Sequence, residues 1–140
     1  MRAARRLTIA VVVAASLTGC VSRHPTKPAF GPADLASVRN QVVRLPGVHT
    51  AEVRYNKGTA LIGTSDVFVT LHTISKPDLV ALQQAVTRIV WLSRIAPLDD
   101  IEVTVFADGA GPRPILEDGG TVLDPDVSKK LRAQYGPRPG

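Results

Sequence analysis

Apolar residues recur along this chain with two periods, and each change of period marks a new element. Leu35, Val38, Val42 and Leu45 return at three- and four-residue steps, the spacing of one helix face. Pro32 suits the first turn, Asp34 favours its positive end, and Leu45-Pro46-Gly47 stops the helix. From His49 to Tyr55 the period shortens to two. Ala51, Val53 and Tyr55 face one way and Thr50, Glu52 and Arg54 the other, which predicts a half-buried strand. A loop opens at Asn56-Lys57-Gly58 and runs to Asp66. Val67, Val69, Leu71 and Thr73, with Phe68, Thr70, His72 and Ile74 opposite, predict a second strand. Ser75 and Asp78 have the spacing of a capping box, with Pro77 in the first turn. Leu79, Leu82, Val86 and Ile89 then give a second helix its stripe, ended by Ile95-Ala96-Pro97. Ile101, Val103, Val105 and Ala107 alternate with Glu102, Thr104 and Phe106 in a third strand.

The order helix, strand, strand, helix, strand predicts an α+β two-layer sandwich over residues 32–107. Two helices on one face of the sheet would bury both stripes at once. Outside that block the pattern changes. Arg2, Arg5 and Arg6 precede an apolar run, Leu7 to Leu17, that is too short to span a bilayer as a helix. Small residues follow up to Cys20. Such a basic, apolar and small-residue series is a secretory leader, residues 1–19. Residues 20–31 contain Pro25, Pro28 and Gly31 with little periodicity and read as a tether. Residues 108–140 hold six glycines and five prolines and read as a mostly irregular tail. Within the tail a short helix is expected over 125–135. Asp124-Pro125 would start it, Gly136 would stop it, and Val127, Leu131 and Tyr135 would line one side.

Leu17-Thr18-Gly19-Cys20 resembles the bacterial lipoprotein box. The resemblance implies lipidation of Cys20, which would be left as the first mature residue, and anchoring to the extracytoplasmic face of the cell membrane, or to the outer membrane in a Gram-negative host. It also explains a lone cysteine in an exported chain. Two acyl chains suffice for stable anchoring where one does not. The formal net charge of +5 then loses its suggestion of nucleic acid. The leader takes three arginines with it, and the folded block is near neutral with no basic stripe.

The element order resembles a ferredoxin-like split unit without its first strand, and also BON domains, envelope modules associated with membrane surfaces and phospholipid binding. Leu45-Pro46-Gly47-Val48 is similar to the link before a strand in heavy-metal-associated domains. The Cys-x-x-Cys loop of that family is absent here, so metal transport is not implied. The leader, the Leu-Pro-Gly-Val link, Trp91 before Pro97-Leu98 and the ending Tyr135-Gly136-Pro137-Arg138 together resemble small lipoproteins of high-GC Gram-positive bacteria.

No reactive constellation stands out. His24, His49 and His72 share no metal-ligand spacing, and no metal or cofactor is expected. Asp99-Asp100 and Glu117-Asp118 read as turn carboxylates rather than a general acid–base pair. No serine sits in a nucleophile elbow. Two surfaces remain as binding candidates. The first is the sheet face turned away from the helices, with Arg54, Phe68, His72 and Phe106, where two phenylalanines are large for a wet surface. The second is Trp91, which lies off the stripe of its helix and needs a neighbour: the tail, a partner or the bilayer interface. The expected function is a membrane-anchored envelope lipoprotein acting as a non-catalytic protein-interaction module. It would bind an envelope protein or self-associate. A lipid- or small-ligand-binding module of BON-like type is the alternative, and an enzyme comes last.

Overall fold

The computed structural model describes residues 30–59, 63–117 and 120–139. Cys20, the leader and most of the tether lie outside the described residues. In chain order the elements are α1 (Pro32–Val43), β1 (Val48–Asn56), β2 (Asp66–Thr73), α2 (Leu79–Trp91), β3 (Asp100–Ala107), β4 (Thr121–Val122) and α3 (Pro125–Tyr135). The fold is α+β, with three helices and a four-stranded mixed sheet in the order β1-β2-β3-β4. β1 and β2 form an antiparallel hairpin, α2 carries the chain across to a parallel β3, and β4 returns antiparallel.

The alternation read from the sequence sets which face is dry. Val67, Val69, Leu71, Ile101, Val103 and Val105 are at most 1% exposed. They meet Val38 and Val42 of α1 and Val86 and Val90 of α2 in one core. Burying each such side chain is worth about 1.5–3 kcal/mol, so a one-residue slip of either central strand would forfeit several of them. Thr73 is the one polar side chain fully enclosed on this face, and its Oγ1 donates to the Phe106 carbonyl.

Caps fix the helix starts. The Gly31 N–H donates to Asp34 Oδ2 at 2.7 Å, so Pro32 opens α1 where the sequence placed it. At α2 the expectation needs correction. Asp78, not Ser75, is the cap: its Oδ1 accepts from the N–H groups of Val80 and Ala81. Pro77 therefore lies before the helix. The buried face runs through Leu82, Val86 and Val90, with Ile89 only half-buried.

The tail is less irregular than expected. The Val105 N–H donates to the Leu116 carbonyl, β4 extends the sheet, and Ile115, Leu116 and Leu123 pack on the core. The helix forms over Pro125–Tyr135, capped by Asp124, and buries Leu131. The packed unit thus continues well beyond Ala107. Among the described residues no helix is long and apolar enough to cross a membrane.

Candidate functional site

The outward residues of the three long strands form a lattice fixed by register. Asn56, Asp66 and Asp100 share the first row. Arg54, Phe68 and Glu102 share the second, Glu52, Thr70 and Thr104 the third, and Thr50, His72 and Phe106 the fourth. Alternation points all of them away from the helices, because their chain neighbours are the buried core residues. All four candidate residues of this face are half-buried or exposed. Phe68 and Phe106 are half-buried and His72 is exposed. His72 stacks on Phe106 with ring centroids 5.0 Å apart and planes 13° from parallel. Arg54, the fourth, is exposed, and its Nε lies 3.4 Å from Glu52 Oε1. Both side chains are about two-thirds exposed, so the pair contributes little stability and is free to rearrange. A shallow depression of about 310 Å³ lies beside Phe68, lined also by Arg54, Tyr55 and Asn56.

The acidic end of the lattice was not legible as a site. Asp66 is only 9% exposed, and its Oδ1 has no hydrogen-bond partner among the described residues. Beside it Asp100 Oδ1 accepts from the Ile101 N–H. Asp99 Oδ2 accepts from the Ser65 N–H, and the Ser65 carbonyl accepts from the Asp99 N–H. Asp99 is thereby a clamp between two loops. Its pairing with Asp100 in sequence places the two in different surroundings, and they do not converge on a histidine. His49 sits at the irregular step of β1, 3.8 Å from Asp108, while His72 pairs with Thr50. Among the described residues no group of three His, Cys, Asp or Glu side chains is placed to hold a metal ion.

Trp91 must be removed from the candidate surface. It is 2% exposed, and its indole Nε1 donates to the Gly136 carbonyl at 2.9 Å. Arg138 lies over the ring, 5.6 Å from its centroid, and donates through Nη2 to the Ile95 carbonyl. The tail supplies the neighbour the indole needed. Burial pushes the Arg138 guanidinium below its ordinary value by desolvation.

No protein-family model matches the chain, and neither do the sequences of curated proteins or the solved structures. Function has to be argued from the surfaces themselves.

One such surface lies on the helix side, where reasoning from periodicity gave no hint. Two adjoining depressions of about 310 and 290 Å³ run between the end of α1 and the length of α2, sharing Leu45 and Ala85. Leu92, 38% exposed, is among the lining residues, and Ile74, 65% exposed, precedes the lining residue Ser75 in the chain. Arg88 and Asp78 are among the lining residues, and the exposed Arg44 and Lys76 are chain neighbours of the lining residues Leu45, Ser75 and Pro77. None of the three cations has an acidic partner within ion-pair distance among the described residues. A groove between two helices is an assembled property, because neither stripe predicts it alone.

Proposed function

We propose that this chain is a membrane-anchored cell-envelope lipoprotein whose α+β unit acts as a non-catalytic protein-interaction module through its open sheet face. The observation that carries this reading is the row structure of that face. Phe68, and the stacked His72 and Phe106, present ring surface on a sheet side that no helix of the described residues occupies. Large apolar side chains on such a face are costly to solvate and are the usual core of an interface. The order α1-β1-β2-α2-β3, with β2 parallel to β3, fits the ferredoxin-like and BON-like reading of the fold. The lipoprotein box supplies the anchor, and among the described residues no group of His, Cys, Asp and Glu side chains is gathered for a metal ion.

Two experiments test the two halves of this reading. Cys20→Ala should abolish metabolic acyl labelling and release the protein from membranes; unchanged labelling ends the anchor. A Phe68→Ser, Phe106→Ser double variant should keep the far-ultraviolet dichroism of the wild type, since the buried partners Val67, Val69, Leu71, Val103 and Val105 are untouched. It should lose crosslinks formed from the sheet face in intact cells. Undiminished crosslinking would refute the interaction reading.

The groove lined by Arg88, with the exposed Arg44 and Lys76 next in chain to its lining residues, favours a second reading, in which the module rests on anionic lipid. Basic residues near a charged leaflet add about 1 kcal/mol each. Flotation of a Cys20→Ser chain with phosphatidylglycerol vesicles, lost in an Arg44→Gln, Lys76→Gln, Arg88→Gln variant, would establish it. Equal flotation of the two would dismiss it.

A further inference from the structure

We propose that the free edge of β1 pairs with the β1 edge of a second copy of this chain, antiparallel about a two-fold axis at Val53. The inference goes beyond the open-face reading, because it uses the edge of the sheet and not its face. β1 ends the strand order, and among the described residues no strand lies beyond it. The other margin is covered, since β4 and the bridge at Leu116 run along β3. β1 is nine residues long, and an edge of that length presents a row of N–H and C=O groups open to another strand. One hydrogen bond tells which groups these are. Arg39 Nε, carried by α1, donates to the Ala51 carbonyl at 3.0 Å, so that oxygen faces the edge and not β2. In an antiparallel hairpin the backbone direction alternates from residue to residue, so Val53 and Tyr55 also turn their N–H and C=O groups to the edge. The Ala51 oxygen keeps a second lone pair for a strand partner while it holds Arg39.

A two-fold contact requires a surface complementary to itself, and charge selects the second copy as the occupant. About Val53, Glu52 falls opposite Arg54 of the second copy, and Arg54 falls opposite its Glu52, all on the outward side of the strands. Within one chain the two side chains are about two-thirds exposed, so charges of a neighbouring strand can reach both. On the helix side Val53 meets Val53, and the small Ala51 meets the large Tyr55. Val53 and Tyr55 are only half-buried, whereas Val67 and Val69, their register partners on β2, are at most 1% exposed. Apolar surface thus remains to be covered at this edge. The register is fixed as well. Edge-facing residues must pair with edge-facing residues, so the axis can move only to Glu52 or to Arg54 at the next steps. There Glu52 meets Glu52, or Arg54 meets Arg54, and like charges repel.

The test co-expresses two full chains that differ in their C-terminal tags. Each carries a photoreactive residue in place of Thr50, which would lie opposite Asn56 of the second copy. Irradiation of intact cells, capture of one tag and detection of the other reads the contact directly. The otherwise unchanged pair should give a crosslinked product of twice the chain mass. Glu52→Arg on both chains, or Arg54→Glu on both, turns two attractions into two repulsions and should lower that product by about tenfold. A Glu52→Arg chain expressed with an Arg54→Glu chain brings opposite charges together again and should restore it. So should Glu52→Arg, Arg54→Glu on both chains. Restoration separates recognition from folding, because a variant that merely failed to fold would not be rescued by its opposite. Undiminished product from the single variants, or a mixed pair no better than they are, overturns the proposal. Crosslinks to other proteins with none between the two tags also overturn it, and give the edge to a different strand.

Discussion

Deleting the chain from Gly136 onward should loosen the fold measurably, although residues 136–139 form no regular element. The deletion removes three contacts. The Trp91 indole loses its acceptor at the Gly136 carbonyl, a net contribution of about 1 kcal/mol for a hydrogen bond of 2.9 Å. The Arg138 guanidinium leaves the face of the ring, worth about 0.5–1 kcal/mol. The Arg138 bond to the Ile95 carbonyl disappears as well. A charged donor in a buried site would give more, but Arg138 is only half-buried and desolvated, so screening reduces it to about 1 kcal/mol or less. Together the loss is about 2–3 kcal/mol. For a unit of this size each kcal/mol lowers the melting temperature by about 4–8 °C, so a fall of about 10 °C or more is expected. Trp91 is the only tryptophan, which makes its emission a clean second readout. The intact protein should emit from an apolar, iodide-shielded site, and the shortened one should shift red and become quenchable. An unchanged melting temperature with a still-shielded indole would show that α2 and α3 bury Trp91 without the terminal residues. The reasoning about the clasp would then be wrong.

Two further changes probe the core and a cap. Val86→Asp places an unpaired carboxylate at a position with no solvent exposure and should prevent cooperative folding, read as loss of the thermal transition. Asp78→Ala removes the acceptor for two amide groups at the start of α2 and should cost about 1 kcal/mol in denaturant unfolding, with the slope unchanged.

The strands were legible because alternation over eight or nine residues admits only one assignment of faces once one face is buried. The inward set Ala51, Val67, Val69, Leu71, Ile101, Val103 and Val105 is the set the pattern selects. The start of α2 was not, because Ser75 and Asp78 are both good caps in sequence. The chain must first turn away from the end of β2, where the Ile74 N–H is held by the Gly47 carbonyl. That contact spans 27 residues of sequence, beyond any local rule, and joins segments brought together only by the hairpin. The tail was underestimated for a related reason. Its glycines and prolines argue against a continuous apolar face, yet Ile115, Leu116, Leu123 and Leu131 each fill one gap on an existing core. A segment can be tied down by single anchors without any periodicity of its own. The acidic end of the lattice was hidden by register, since only the pairing of β2 with β3 puts Asp66 beside Asp100.

The two sides of the sheet carry opposite charge, and this division links the surfaces to the anchor. Arg88 lines the groove on the helix side and Arg44 and Lys76 adjoin its lining residues in the chain, while Glu52, Asp66, Asp100 and Glu102 share the outward rows of the strands. The near-neutral charge of the folded block conceals this separation, which is why charge counting argued only against nucleic acid. Under the anchoring proposed above, the unit would stay within reach of the membrane whatever its orientation, because ten residues of chain span at most about 36 Å. Opposite charges on opposite faces then bias the orientation: an anionic leaflet attracts the helix side and repels the sheet side. On that proposal the open face, with Phe68, His72 and Phe106, would turn outward, toward the proposed partner. The bias decays within a Debye length, so raising salt should free the orientation without releasing the anchor. Accessibility of a label at Thr104 should therefore fall with salt on phosphatidylglycerol membranes and stay constant on neutral ones. Equal accessibility on both at low salt would mean that the charge division does not orient the module.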